Sequence, residues 1–493
     1  MMKLKSVAML ATALILSKGV NAADQKEKAR PNILFIEVDD LNYEYLSCFG
    51  SPLVQTPNID HLAKTGVRFQ NAVCQGMMCA PSRNSLMTGL YPHNLGFYNN
   101  GEMKSLPKDV WTFPQGLQSA GYYTAWIGKC HIRPYKKGME KTEAMHTQMG
   151  FDFVQQTEGR VVLSRKFKAN SKKKKKAKKQ KKNKELKDWY YNFLKESGHL
   201  EQFVKEYPEI STLPEDAYLD GFFTHNAEEF LSDYQDEKPF FLWLNYSVPH
   251  GPYDVAQPYH DPFKEDDMPG STTTDYQVPE LLVKKTKLIT NEKVHKKEQV
   301  GHCAAVNFLD HQVGRVIEAL KKNGQFENTI IVFFSDQGVM LGDHQRQHKG
   351  TLFRQITNPA MIVSYPPRFQ TNKVVDAPVE LIDLIQTSLD VAQAEKSQLN
   401  HCKTSHSLVP LLTGKAKSVR KVAFGEIDGY VMATDGRYRL IKGTDACLLF
   451  DDLKDPKNLR DISGENQGIV KRLSRSIEKW LQKTGPVLPP KSM

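Results

Sequence analysis

The sequence predicts an α/β fold: a large, doubly wound, mixed but mostly parallel sheet, followed by a smaller C-terminal α+β subdomain. Three observations predict it. Four apolar runs, at 32–38, 123–127, 240–244 and 329–334, lack polar alternation and end abruptly in chemically capable residues. Such runs are strands buried on both faces, as in a parallel sheet. Between them lies helical periodicity, clearest at Ala305, Leu309, Val313, Val316, Ile317 and Leu320, which share one helix face before the stop signal Gly324. After about residue 395 the long runs give way to short strand-like pieces.

Taken in order, the first run leads into Asp39-Asp40 and the second into Gly128-Lys129-Cys130-His131. The third leads towards Pro249-His250, and the fourth into Ser335-Asp336-Gln337-Gly338. Alternating strands and helices wind into a sheet covered on both sides. Ligands bind such sheets beyond the carboxyl ends of the strands, where all four polar clusters fall. One site built from four distant segments is therefore expected. In the C-terminal part, pieces at 422–425, 430–433, 438–441 and 448–450 predict a small antiparallel sheet with Asp435-Gly436 as a tight turn. A helix over 468–483 closes the chain. The expected organisation is a leader at 1–22, an α/β domain at 23–395 and a C-terminal subdomain at 396–493.

The chain has 493 residues, 40% of them hydrophobic, which is enough for a large core. The leader has Lys3 and Lys5, an apolar stretch, and small residues ending at Ala22, the pattern of a secretory signal. Export to the periplasm or cell surface is expected, and no later run is long and apolar enough for a stable membrane span. The formal charge of +11 does not indicate nucleic acid. Residues 165–187 hold fourteen Lys or Arg and one Glu, so this insertion carries +13 and the remainder is near −2. Its low complexity reads as a solvated loop, or as an electrostatic tether for a polyanion. Seven cysteines leave an odd residue in an exported chain, which directs attention to a cysteine with a private role.

That residue is Cys79, in Cys79-Ala80-Pro81-Ser82-Arg83-Asn84-Ser85-Leu86-Met87-Thr88-Gly89. Pro81 suits a first helical turn, which places Cys79 at a helix N-terminus. Free amides and the helix dipole there attract an anion. Asp39, Asp40 and Asp336 supply carboxylates and Gln337 an amide oxygen, an all-oxygen set suited to a hard divalent cation. An isolated Asp-Asp pair is more often a cap or a solvated turn. A second carboxylate cluster at another strand end reverses that weighting.

The chain resembles the formylglycine-dependent sulfatase family over nearly its whole length. Cys79-x-Pro81-Ser82-Arg83 with Thr88-Gly89 is the core of the resemblance. Asn32 to Asp40 matches the first strand, and Thr56-Pro57-Asn58-Ile59-Asp60 the turn after it. Gly128-Lys129-Cys130-His131 is similar to the usual G-K-W-H. Ser335-Asp336-Gln337-Gly338, Leu341-Gly342-Asp343-His344 and Lys349-Gly350 resemble the second metal segment. Leu449-Phe450-Asp451-Asp452-Leu453-Lys454-Asp455-Pro456 resembles the closing L-Y-D-L-x-x-D-P. The chain departs from the pattern at Cys130 (usually Trp), Met87 (commonly Leu) and Gln337 (often Asn or His), and Gln337 still offers a carbonyl oxygen.

The resemblance implies an alkaline-phosphatase-like sulfatase fold and a hydrolase of sulfate esters. It implies that a maturase oxidises Cys79 to formylglycine, whose hydrate attacks sulfur through one hydroxyl and releases sulfate when the second loses its proton. Calcium is the implied cation, with magnesium as runner-up, held by Asp39, Asp40, Asp336, Gln337 and residue 79. Arg83 is implied to pair with the diol and the ligand carboxylates, and Lys129 and Lys349 to bind sulfate oxygens. His131 is implied as base or orienter, and His250 as the acid for the leaving oxygen. His93 and His344 are weaker candidates for the substrate side. A sulfated carbohydrate of the kind handled by iduronate-sulfatase-like enzymes is the expected substrate. A phosphonate or phosphate monoester, or binding of sulfated polymers without turnover, are the alternatives.

Overall fold

Eight strands form the central sheet: β1 (Asn32–Val38), β2 (Gly66–Phe69), β3 (Tyr123–Lys129), β4 (Phe153–Thr157), β5 (Phe240–Asn245), β6 (Thr329–Ser335), β7 (Met361–Ser364) and β8 (Lys373–Val375). This computed structural model describes residues 30–102, 110–132, 144, 146–157, 159–161, 163–165 and 188–485. The expected leader, and the basic insertion from 166 to 187, lie outside the described residues. The strand order is β8-β2-β7-β6-β1-β5-β3-β4. All neighbours are parallel except β7, which runs antiparallel to both β6 and β2. The four runs read from sequence are β1, β3, β5 and β6, which lie side by side.

The sheet is buried on both faces, as unalternating strands require. Phe35, Trp126, Phe241, Trp243, Val332 and Phe334 point to one face. There they pack on α2 (Cys79–Thr88), α3 (Phe113–Ser119) and α6 (Asp383–Val391). Leu34, Ile36, Ile127, Leu242, Leu244, Ile331 and Phe333 point to the other. That face is covered by α1 (Pro57–Lys64), α4 (Leu219–Asp233) and α5 (Glu292–Lys322). Helix α5 begins well before the apolar stripe at 305–320. Its first half buries His295, Gln299 and His302, polar residues that leave no hydrophobic signature.

Register sets the height of the site. Val38 pairs with Ser335, so Asp39 and Asp336 leave the sheet at the same level. Glu37 and Gly128 both pair with Asn245. At Gly128, with φ of 111°, a Cβ would lie 2.0 Å from the Asn245 carbonyl oxygen, so only glycine permits this approach of β3 to β5.

The C-terminal part forms an antiparallel sheet, β9 (Ala423–Ile427), β10 (Tyr430–Thr434), β11 (Tyr438–Gly443) and β12 (Cys447–Asp451), crossed by α7 (Gln467–Thr484). Gly436, with φ of 96°, makes the expected turn. This sheet shares one apolar cluster with the α2 face of the main sheet. A buried pair of cations fixes the junction: Arg354 and Arg439 reach the same Asp452 oxygen at 3.1 and 2.9 Å. Among the described residues all seven cysteines are free thiols.

Candidate active site

Cys79 is the first residue of α2, preceded by the extended Met78, with Pro81 in the first turn. Ser82 anchors the helix by donating its hydroxyl to the Asp336 carbonyl at 2.6 Å. The Cys79 side chain is buried and its thiol donates to Asp39 Oδ1 at 3.1 Å, while Lys349 Nζ donates to Sγ at 2.8 Å. Burial pushes the thiol up to about 11, with Lys349 pulling the other way.

Asp39, Asp40 and Asp336 each present an oxygen within a common 4.8 Å, and all three are buried. Consecutive strand residues point to opposite faces. A left-handed φ of 67° at Asp40 breaks that alternation, so both aspartates join one buried cluster. Aspartate tolerates this conformation better than most residues. Asp336 Oδ1 accepts from Gln337 N at 2.9 Å and Asp40 N at 3.3 Å, and its Oδ2 accepts from Arg83 Nε at 2.8 Å. Gln337 turns its Nε2 to Asp40 Oδ1 at 2.5 Å and leaves Oε1 buried without a partner. A half-turn of the amide would exchange the two ends. Three buried carboxylates repel one another, and an orphaned amide oxygen beside them completes an all-oxygen set. These residues fit a hard divalent cation.

Lys129 contacts Asp39, and Lys349 contacts Asp40 while lying 3.6 Å from Asp39 Oδ1. Their titrations diverge. Burial, reinforced by the charge of Lys349, pulls Lys129 down to about 7. Burial opposes Lys349 too, but Asp40, Cys79 and Asp336 outweigh it and hold this ammonium above its ordinary range. His250 Nδ1 meets the Gly251 carbonyl at 2.5 Å, so Nδ1 carries the proton and Nε2 faces Asp40 Oδ2 at 3.6 Å. Burial takes its pKa down to about 3, despite Asp40. An acid role for His250 therefore requires the negative charge of a bound ester to raise that value. His131, at φ of 56°, has a buried Nδ1 without a hydrogen-bond partner. Burial and then Lys129 hold its pKa well below the usual range.

Every site residue read from sequence, from Asp39 to Lys349, lies in or against this cluster. The two weaker histidines do not. His93 is clamped between Glu426 Oε1 at 2.8 Å and Thr484 Oγ1 at 3.0 Å, tying a short helix to α7. His344 bonds the Lys457 carbonyl at 2.8 Å and packs on Phe353, so it braces the C-terminal segment. His93 spends both ring nitrogens on these neighbours, whereas His344 spends Nε2 and keeps a buried Nδ1 without a partner among the described residues.

The sequence reading missed Glu37, Asn245 and Asp220. Arg83 Nη1 reaches Asn245 Oδ1 at 3.0 Å and Glu37 Oε2 at 3.1 Å, and Trp243 Nε1 donates to the same Glu37 oxygen at 2.8 Å. Glu37 is fully buried, and burial raises its carboxyl to about 7 against the pull of Arg83. A single acid inside the apolar run of β1 was the available signal. Asp220, in α4, accepts from Ser247 Oγ at 2.9 Å and Val248 N at 3.1 Å, steadying the loop that carries His250. Replacing Glu37 by leucine should lower stability by about 3–5 kcal/mol, since Arg83 loses a buried counter-charge. It should also cut kcat roughly tenfold or more with little change in KM. Steady-state kinetics and urea unfolding check this, and an unaltered kcat in folded protein would show that Glu37 does not position Arg83.

Two ammonium groups, a guanidinium and a candidate cation seat, gathered beyond the carboxyl ends of a parallel sheet, suit the chemistry of a small anionic ester. The protein is a hydrolase of that class. The description "Sulfatase" matches residues 31–394, and the chain belongs to the sulfatase family, the sulfuric ester hydrolases. It is 28% identical over 484 residues to a sulfatase of Formosa agariphila, covering 93% of this chain and 88% of that one. It is 28% identical over 538 residues to an N-acetylglucosamine-6-O-sulfatase of Bacteroides thetaiotaomicron, covering 98% and 91%. Among solved structures, the phosphonate monoester hydrolase of Agrobacterium radiobacter superposes with a TM-score of 0.76 at 20% identity, covering 92% of this chain and 96% of that one. The alkaline-phosphatase-like fold expected from sequence is the one observed.

Proposed function

We propose that this chain is an exported sulfatase that removes sulfate from a sulfated carbohydrate, using a formylglycine made from Cys79 by a maturase and a calcium ion. The observation that carries the proposal is the seat of Cys79: a buried thiol at a helix N-terminus, 3.1 Å from Asp39 and 2.8 Å from Lys349. A thiol pushed up to about 11 is a poor nucleophile at neutral pH, which favours a chemically altered residue there. When present, the aldehyde supplies a hydrated carbon with two hydroxyls. Calcium, or magnesium as runner-up, supplies a Lewis acid that polarises the ester and lowers the pKa of an oxygen nucleophile.

The residues of the chain do the rest. Asp39, Asp40, Asp336 and Gln337 hold the cation. Arg83, fixed by Glu37, Asn245 and Asp336, orients residue 79 and those carboxylates. Lys129 and Lys349 meet negative charge as it spreads over the sulfate oxygens. His131, neutral in this setting, accepts a proton, and His250 Nε2 hands one to the departing oxygen once the ester's charge has raised its pKa. Export is supported by the signal pattern at 1–22, and no helix among the described residues is long and apolar enough to cross a membrane. A carbohydrate substrate is supported by the name of the Bacteroides thetaiotaomicron relative.

The superposition on a phosphonate monoester hydrolase favours a second reading, a phosphorus ester as substrate. Protein co-produced with a maturase should show an aldehyde at residue 79 by peptide mass spectrometry. The same preparation should hydrolyse an aryl sulfate faster than the matching aryl phosphate and phosphonate monoester. A preference for either phosphorus ester would replace the sulfatase proposal with the second reading.

A further inference from the structure

Beside the site runs a cationic ribbon that the chemistry above does not use. Lys287–Leu288 pairs antiparallel with Arg346–Gln347, Lys287 opposite Gln347 and Leu288 opposite Arg346. Ile289 N extends the pairing by donating to the Gln345 carbonyl at 2.8 Å. Lys349 follows two residues after Gln347, past a bend at His348 with φ of 68°. Lys285 comes closer still. A Cβ on Gly350 would lie 2.7 Å from Lys285 Cβ and 3.3 Å from Met78 Sδ. The root of Lys285 is therefore wedged between the residue after Lys349 and the residue before Cys79, and its side chain is exposed.

Two of the ribbon's lysines, Lys285 and Lys287, are exposed. Lys284 pairs with Asp428 at 3.2 Å, but among the described residues no carboxylate oxygen lies within 4.0 Å of Lys285 or Lys287. Two carboxylates face the ribbon: Asp428, paired with Lys284, and Glu298, which is raised to about 7 by burial against the opposing pull of Gln347 and Lys287. Arg346 is steadied by donating from Nη1 to Thr286 Oγ1 at 3.0 Å. A run of exposed cations raises the positive potential beside the site.

We propose that Lys285 and Lys287 form an anion-binding lip for a second negatively charged group on the substrate, next to the ester that is cleaved. The inference rests on the sulfatase reading and narrows it to polyanionic saccharides, those with a further sulfate or a carboxylate near the scissile sulfate. The lip supplies binding and register, and takes no part in bond cleavage.

The test uses matured full-length enzyme, 4-nitrophenyl sulfate as a singly charged substrate, and sucrose octasulfate as a compact polyanionic competitor. Sucrose octasulfate should inhibit the wild type at far lower concentration than inorganic sulfate. Lys285→Glu should raise its inhibition constant about tenfold and Lys285→Glu with Lys287→Glu further. Both variants should leave kcat/KM for 4-nitrophenyl sulfate within about twofold, and Lys285→Arg should restore the wild-type constant. An inhibition constant unmoved in the double variant, or sucrose octasulfate no better than inorganic sulfate in the wild type, overturns the lip while the sulfatase reading stands. Failure of the wild type to cleave 4-nitrophenyl sulfate would count against the sulfatase reading. In that case binding of sucrose octasulfate, measured by calorimetry on wild type and double variant, decides the lip by the same tenfold criterion.

Discussion

Replacing Cys79 by alanine should abolish sulfate-ester turnover and leave the protein folded. The expected loss in kcat is about 10⁴-fold or more, the scale seen when a covalent nucleophile is deleted. Folding should survive because alanine suits the first turn of α2, and the lost thiol is a small group held by Asp39 and Lys349 and not by a disulfide. The structural cost is on the order of 1 kcal/mol. Cys79→Ser is the sharper variant. A serine hydroxyl can receive the sulfuryl group, but it has no second hydroxyl from which to expel it. Serine protein should therefore complete at most a single turnover and accumulate a sulfated peptide visible by mass spectrometry. Normal multiple turnover by either variant would remove residue 79 from the chemistry. Circular dichroism and melting curves on the same samples separate a chemical loss from unfolding.

The α/β class and the position of the site were legible because both depend on strong local signals. β1, β3, β5 and β6 are apolar without alternation, which only a doubly covered sheet explains, and each ends in residues too polar to be core. Their side-by-side order could not be read, because neighbours such as β1 and β6 are nearly three hundred residues apart and pairing is a property of the folded sheet. The seat of Cys79 followed from Pro81. Glu37 was hidden because an acid within an apolar strand has no meaning until Arg83 and Trp243 are seen to converge on it. His93 misled for the opposite reason: a histidine near an active segment looks available until its two nitrogens are found bonded to Glu426 and Thr484. The antiparallel β7 and the early start of α5 were likewise tertiary outcomes, set by packing and by buried polar groups.

Asp336→Asn is the second large effect, and it tests the cation seat without depending on turnover. Asp336 is almost wholly buried, and its two oxygens serve three donors, Arg83 Nε, Gln337 N and Asp40 N. Asparagine keeps an oxygen for the backbone amides, so the loop after β6 should hold its shape. It removes one of the three charges that would face a divalent ion and takes a counter-charge from Arg83. Calcium affinity, measured by calorimetry on chelator-treated protein, should fall about a hundredfold or more, above the 10–100-fold typical of residues that only support a ligand. Calcium at 100 times its dissociation constant should stabilise the wild type by about 2.7 kcal/mol, and this gain should largely vanish in the variant at the same concentration. Added calcium should recover only part of kcat, because Arg83 no longer has its full set of partners. Unchanged calcium affinity in folded Asp336→Asn would mean that the carboxylates after β1 and β6 do not share an ion. Asp39, Asp40 and Asp336 would then need the ammonium groups of Lys129 and Lys349 as permanent partners, and those lysines would not be free to meet a sulfate.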